Sequence, residues 1–516
     1  METSTSIIFR GELRDGDASS SRRDLLRYDQ AVLRQQKIVL PILIAWLVLA
    51  GLFVVKFGGG GEDDMFISFR YARSVAHGEG LVFNSGERHF GATEPGMALL
   101  LGGVHRLTAI PIPWIGTLAT AFGLLVIAWV MVADGLLHQR LTASLVGGTL
   151  LVGSVSIWIC RGAAAPMALA CLLAGALVVP KRPAVAGFLA AAAVWLRPDT
   201  VLGVIALGLL LWWQKRRFPV RFGAAAAFGV FVGMALAWSY FGHPLPSTLA
   251  AKQVMAQWQP RTWPSGVDFW KAFLPSWRSH LGVFAPLFLI GGVVGWIPLW
   301  KRGGLPARIL ILNGAALAFA YPVLRVPFYL WYVIPVIAAC FYGVSYMLSE
   351  ACHWFARSSK AELSRGLMAN RIEASIAVLL IVAVALHIVP TVSGYRTPSH
   401  LDAYRDAALW IRENTLPEET VAYYEVGVVG WFSERPIQDL LGLVTPAMTE
   451  NPAQGRRFGR VLREQPTEIV LDHTTRRVGN LPSREWFQRT YEPVAEFPDA
   501  GGGEVVVFRK RSSGDS

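Results

Sequence analysis

The chain has 516 residues, of which 53% are hydrophobic and 16% charged, with a mean hydropathy of +0.41. A soluble protein carries about a quarter charged residues, so the composition excludes an ordinary soluble enzyme and predicts a polytopic membrane protein. The net charge of +12 does not indicate nucleic acid. Its cations fall in short clusters between apolar runs, the pattern of cytoplasmic loops facing anionic lipid.

Residues 1–37 are mostly polar and rich in arginine (Arg10, Arg14, Arg22, Arg23, Arg27, Arg34) and read as a basic cytoplasmic tail. A segment this polar ahead of the first apolar run is not a cleavable signal peptide. Ile38–Val55 is the first predicted span. Directly behind it lies EDDMFISFRYARSVAHGEGLVFNSGERHFGATEPG, residues 62–96. That stretch opens with Glu62, Asp63 and Asp64 and supplies Arg70 and Arg73 within three turns. Carboxylates beside cations at a membrane surface suit chemistry on a phosphate-bearing lipid; the plainer alternative is a solvated cap on a membrane-exit helix. Further apolar runs follow near 113–136, 143–160, 163–179, 183–196, 200–214, 220–241, 282–300, 308–324, 328–348 and 372–390. The four cysteines, Cys160, Cys171, Cys340 and Cys352, form no CxxC pair and imply neither a disulfide framework nor a zinc site.

The short run Met97–Leu107 decides the topology. Left out of the membrane, it puts Arg140, Lys181 with Arg182, Lys215 to Arg217, Lys301 with Arg302 and Arg308, and the basic 352–371 loop on the side of the N-terminal tail. That satisfies the positive-inside rule. The prediction is therefore about eleven spans, a surface helix at 97–107, a cytoplasmic N-terminus and an external C-terminal region. Arg161, Arg197, Asp199, Lys252 and Arg325 then converge on the external face, where charges near a bilayer are costly and usually functional. Beyond residue 390 the pattern changes. Leu401–Asn414 has a helical period with Ala408, Leu409 and Ile411 on its apolar side, TVAYYE, TEIVLD and EVVVFRK read as strands, and Gln454–Glu464 as a helix. This predicts a small α/β domain over 391–516, after a transmembrane domain over 38–390 with an external acidic loop at 57–112.

Several of these pieces resemble the GT-C superfamily of polyprenyl-phosphate-sugar-dependent glycosyltransferases, nearest the mycobacterial terminal arabinofuranosyltransferase branch. DDMFISFRYARSVAHGEGLVFNSGER is similar to that branch's acidic first loop and GATEPGMALLLGGVH to the surface helix after it. WLRPDT at 195–200 resembles its Arg-Pro-acid turn, and YFGHPLPSTLAAK at 240–252 its lysine-bearing loop. WIRENTLPEETVAYYEVGVVGWFSERPIQDLLGLV fits its C-terminal domain. There are two departures. Arg161-Gly162-Ala163-Ala164-Ala165-Pro166 stands where the branch has a Gly-Leu-Glu-Thr-Pro turn, and Ser247 replaces an asparagine. They leave donor and acceptor identity open.

The resemblance implies inverting transfer of a sugar from a polyprenyl-phosphate donor to a hydroxyl of a glycan, glycolipid or protein acceptor. The expected setting is the external face of the inner (cell) membrane. Such transfer needs a base for the acceptor proton. Asp63 or Asp64 fits, the resemblance favours Asp63, and the pair could instead share a divalent cation such as Mg, Mn or Ca. The leaving phosphate needs cations, with Arg197, Lys252, Arg70 and Arg325 as candidates and His243 as an additional donor. Pro244 and Pro246 stiffen the loop carrying Ser247 and Lys252. Trp258, Trp263, Trp270 and Trp277 follow, as interfacial anchors or sugar platforms. The resemblance places the C-terminal domain over the cavity, with Glu425, Trp431 and Asp439, and Glu94 from the first loop, as acceptor contacts. The rival classes are a lipid-linked-sugar flippase, which should show inverted repeats and midplane charges, and a non-catalytic scaffold that keeps the fold. The topology has a direct check: in Lys360→Cys, an impermeant maleimide reacts only after the membrane is opened. Labelling from outside overturns the arrangement.

Overall fold

The computed structural model of the chain describes residues 39–258, 263–356, 391–445, 458–476 and 480–512, with isolated positions between 372 and 390. The basic tail, most of the 352–371 loop and most of the span predicted at 372–390 lie outside the described residues. Two units are distinguished, Met1–Leu49 and Ala50–Ser516. The first contributes the opening of an apolar helix, Val39–Phe57; the elements after that helix belong to the second.

Among the described residues six helices are long and apolar enough to cross a membrane: Val39–Phe57, Ile112–Leu137, Leu141–Ile159, Val220–Phe241, Leu305–Val323 and Leu330–Trp354. A seventh span is counted if the pair Asp268–Phe284 and Leu287–Arg302, bent by 99°, is taken as one. Three of the about eleven predicted runs form helices too short to be counted by length, for a physical reason. The runs at 163–179, 183–196 and 200–214 fold as Ala165–Val178, Pro183–Leu196 and Val201–Lys215, of 14, 14 and 15 residues. At about 1.5 Å per residue each is roughly 21–23 Å long, short of a hydrocarbon core of about 30 Å. Pro166 and Pro183 occupy first turns and Pro198 follows Arg197, so prolines set these limits. Leu141–Ile159 and Leu330–Trp354 are each 89% buried and form the centre of the bundle. Val220–Phe241, at 22%, turns Phe228, Phe231 and Trp238 outward, as a lipid-facing helix does.

Five shorter helices position the site. They are α1 (Asp63–His77), α2 (Pro95–Thr108), α3 (Thr248–Trp258), α4 (Ser399–Asn414) and α5 (Val426–Ser433). Asp63 and Asp64 in the first turn of α1 complement its dipole, and Gly78 at φ +84° closes it, its N–H bonded to the carbonyls of Ser74 and Val75. The 14-residue α2 covers the run that the sequence assigns to the surface. It lies along α1, where a Cβ on Gly102 would come 2.5 Å from the carbonyl oxygen of Ala72.

The C-terminal region is α/β. Its sheet has the order β2-β1-β3-β5-β4, with β1 Val421–Tyr423, β2 Ile437–Asp439, β3 Ile469–His473, β4 Tyr491–Pro498 and β5 Glu504–Lys510. β1 runs parallel to β2 and β3, and β5 is antiparallel to β3 and β4. Alternation in the sequence finds β1, β3 and β5. It misses β2, only three residues long, and β4, an edge strand whose Pro493 sits at a register shift. In α4, Ala408 and Ile411 are buried and Leu409 is half-buried.

α5 packs directly on α1. Gly427 and Gly430 permit it: a Cβ on Gly427 would strike the Asp63 carbonyl, and one on Gly430 would come 2.7 Å from Arg70 Nη1. Phe66 meets Phe432 at 5.6 Å and Trp431 at 6.2 Å. Arg70, 8% exposed, donates to the carbonyls of Phe83 (2.8 Å), Gly430 (2.5 Å) and Arg435 (2.7 Å). Asn84 extends this join by donating to the carbonyl of Ile437 and accepting from its N–H. Arg70→Met leaves three buried carbonyls without their donor, at about 1–3 kcal/mol each. It should lower the melting temperature markedly and speed tryptic release of the C-terminal region; wild-type behaviour in both assays would exclude this role.

Candidate active site

The carboxylates at the start of α1 open into a cavity of about 230 Å³ between α1, α3, the segment 328–331 and the C-terminal region. Glu62, Asp63, Asp64, Lys252 and Glu425 line it, with Trp263, Tyr329, Trp331 and Tyr424 as aromatic wall. Asp63 and Asp64 are adjacent in sequence and face different partners. Asp63 accepts hydrogen bonds from the N–H groups of Gly427 (3.1 Å) and Val428 (2.7 Å), at the N-terminus of α5. Asp64 pairs with Lys252 Nζ at 2.7 Å, and that ammonium lies 4.3 Å from the centroid of the Tyr329 ring.

A smaller cavity of about 30 Å³ shares Asp64, Ile67, Trp331 and Leu443 with the first and adds Glu94, Arg197 and Tyr332. Arg197 is 5% exposed. It reaches Glu94 through Nη1 and Asp199 through Nε, both at 2.9 Å, and donates to Tyr321 Oη at 3.2 Å. The Tyr321 hydroxyl in turn donates to Asp199. The Arg-Pro-Asp turn that follows Leu196 builds this fork. The second oxygen of Glu94 accepts the N–H of Ala164 at 3.1 Å, at the turn where the sequence lacks the expected glutamate.

Burial governs the protonation of these acids. It pushes Asp63 well above the usual carboxylate range, with Glu425 adding to the effect and the amides of Val428 and Gly427 opposing it. Burial lifts Glu62 and Glu94 to about 7, against the pull of Arg161 on the first and Arg197 on the second. Glu425 is also raised by burial, against a hydrogen bond from the Tyr404 hydroxyl. Among the described residues no group of three or more His, Cys, Asp or Glu side chains could hold a metal ion.

The structure thus brings Asp63, Asp64, Lys252 and Glu425 together, with Glu94 and Arg197 in the adjoining space. Five expected site residues lie elsewhere. Arg70 is spent on main-chain carbonyls and has no fork left for phosphate. Trp431 lies under Arg73, 3.6 Å from guanidinium to ring centroid, and packs on Phe66 and Phe69, away from the cavity. Asp439 accepts the N–H groups of Leu441, Leu443 and Val444 at 2.6–2.9 Å and holds its own turn. His243 bonds the carbonyl of Leu245 and lines a separate cavity of about 620 Å³ beside His89 and Arg88. Arg325 is exposed, at φ +53°, and lines neither acidic cavity. Conversely Tyr329, Tyr424, His400 and Arg476 line the main cavity and were not anticipated. The aromatic run at 328–332 was the one available signal. Ser247, the departure in its loop, bonds His89 Nε2 at 3.1 Å and the carbonyl of Phe90.

Comparison with known proteins gives a fold. Residues 394–510 match a family model described as a domain of unknown function (DUF8728). No curated protein matches the sequence. Among solved structures, ArnT from Cupriavidus metallidurans, in the apo state and bound to undecaprenyl phosphate, superposes with a TM-score of 0.57 at 14% identity. Each of its structures covers 92% of this chain and 98% of its own. The Archaeoglobus fulgidus oligosaccharyltransferase, in complex with Zn and sulfate, gives 0.53 at 11% identity over 90% of this chain and 72% of its own. The chain shares a GT-C-like fold with these proteins. At such identities the likeness is one of architecture: a helical membrane domain followed by an α/β region.

The Asp64–Lys252 pair has a double-mutant test. Lys252→Met leaves Asp64 beside the three other carboxylates of the cavity without its paired cation and should cost about 3 kcal/mol. Asp64→Asn combined with Lys252→Met should regain most of that loss. Thermal melts in one detergent decide it; additive losses would mean the pair is not coupled.

Proposed function

We propose that the protein is a membrane-embedded inverting glycosyltransferase. It takes a sugar from a polyprenyl-phosphate donor and passes it to a hydroxyl of a cell-envelope glycan, glycolipid or protein acceptor. The observation that carries this reading is the meeting of the α1 carboxylates with Lys252, next to the Arg197 fork, in one cavity under the C-terminal region. The undecaprenyl phosphate bound by ArnT is a lipid of the donor class, which supports it. The resemblance to the arabinofuranosyltransferase branch makes an arabinofuranosyl donor the first to try. The setting is the inner membrane, with the acidic loop and residues 391–516 external.

In this mechanism the acceptor hydroxyl attacks the anomeric carbon on the face opposite the phosphate. The bond from acceptor oxygen to that carbon forms, the carbon–phosphate oxygen bond breaks, and its electron pair leaves on the phosphate. Asp63 takes the hydroxyl proton; burial raises its proton affinity, and the two α5 amides fix its orientation. Lys252 and Arg197 offset the charge on the departing phosphate. Both begin paired to carboxylates, so the donor phosphodiester, singly charged on arrival and gaining a second charge as the sugar leaves, exchanges partners instead of burying a bare cation.

Asp63→Asn should insert, bind donor lipid and lose transfer by at least about a hundredfold, measured with radiolabelled donor; wild-type turnover would remove Asp63 from this role. Chelator should leave the wild type active if no divalent cation takes part. Arg197→Lys keeps the charge and loses the planar fork. Its donor affinity or turnover should fall at least about tenfold, roughly 1.4 kcal/mol, and equal activity would reduce Arg197 to a structural ion pair.

A further inference from the structure

Glu62 is the N-cap residue of α1, yet its side chain makes no capping hydrogen bond. It turns into the main cavity instead. Its two neighbours on α1 have hydrogen-bond partners there: Asp63 two amides and Asp64 the Lys252 ammonium. Among the described residues no hydrogen bond reaches the Glu62 carboxylate, so it faces the aromatic walls as an acceptor in want of donors. Behind it stands Arg161, 4% exposed and with Nε unpartnered. That guanidinium lies 5.3 Å from the centroid of the Phe57 ring and presses on Gly60, where a Cβ would come 2.5 Å from Nη2. It donates from Nη1 to the carbonyl of Ile159 at 3.4 Å, and the Tyr395 hydroxyl lies in its field. A buried cation with spare donors, held in a fitted slot, favours the charged form of the carboxylate ahead of it against the effect of burial.

We infer that Glu62 is a substrate-binding carboxylate that accepts hydrogen bonds from hydroxyl groups of the sugar in the cavity, with Arg161 as its positioning residue. Aromatic faces beside a free anionic acceptor are the chemistry that recognises a polyol ring, whose C–H face stacks while its hydroxyls donate. This rests on the glycosyl-transfer reading of the same cavity and extends it to sugar recognition. The charged groups facing Glu62 are Arg161, Arg476, Asp64 and Glu425, with Asp63 its chain neighbour; the Tyr395 hydroxyl and Cys160 thiol lie in the same field. Burial sets Glu62 at about 7 and Arg161 pulls it down. Sugar affinity should therefore weaken as pH falls through 7, and removal of Arg161 should move that loss to higher pH.

The test uses the full chain in lipid nanodiscs, where Trp263 and Trp331 in the cavity wall report occupancy by fluorescence. Methyl arabinofuranoside and methyl glucopyranoside are the probes. At least one should give saturable quenching, weakened about tenfold in Glu62→Gln, a variant that loses no hydrogen bond and should melt as the wild type. Arg161→Gln should shift the pH midpoint of binding upward, Arg161→Lys should restore it, and neither should matter in the Glu62→Gln background. Absence of quenching by both probes, equal affinity in Glu62→Gln, or an unmoved midpoint in Arg161→Gln each overturns the assignment. Binding of undecaprenyl phosphate to the same samples separates the two readings. Its loss in the wild type sinks lipid-dependent transfer whatever the sugar probes do, and its retention beside unchanged sugar binding in Glu62→Gln sinks only the role of Glu62.

Discussion

The hydrogen bonds from the N-terminus of α5 to Asp63 are the constraint on which the rest of the arrangement depends. They join a carboxylate at a membrane exit to a helix more than 360 residues later. A helix N-terminus is a natural anion site, so the contact is favourable and directional. Its geometry demands Gly427, because a side chain there would strike the Asp63 carbonyl. Arg70 and Arg73 then clamp the far end of α5. The C-terminal region is thereby fixed over the acidic loop, and the cavity between them acquires its roof.

That closure also accounts for the electrostatics. Four carboxylates and the cations Lys252 and Arg476 share one partly closed space, where desolvation disfavours every ionised acid. The structure gives each a different partner: amides for Asp63, an ammonium for Asp64, the field of Arg476 for Glu425, and that of Arg161 for Glu62. Glu62, Asp63 and Glu425 all have raised proton affinities, each opposed by a different neighbour, a condition for assigning them different tasks.

Much of the site was legible in the sequence because charged residues at the ends of apolar runs are costly and stand out. Asp63, Asp64, Arg197 and Lys252 were found on that ground, and they converge. Arg70, Trp431 and Asp439 were misread because a buried arginine bonded to carbonyls, or an aspartate holding a turn, has the same composition as one that meets a ligand. Only the tertiary partner tells them apart, and that partner lies hundreds of residues away for Arg70 and a few for Asp439. The lengths of the helices at 163–214 have local grounds: hydropathy marks the apolar helices, and Pro166, Pro183 and Pro198 set their limits. β4 was hidden by its prolines, which an edge strand tolerates and a central one would not.

The distance along the chain between Asp63 and α5 also orders events in time. At roughly 5–20 residues per second, the acidic loop leaves the ribosome tens of seconds before the helix that completes it. During that interval the membrane helices can insert while the three carboxylates remain hydrated and at ordinary acidity. The perturbed acids appear only when α5 docks, near the end of synthesis. A chain truncated before Val426 would carry the membrane helices with Arg197 and Lys252, yet the acids at the start of α1 would remain those of a solvated loop. Completion of the polypeptide is thus built into the chemistry as a condition for it.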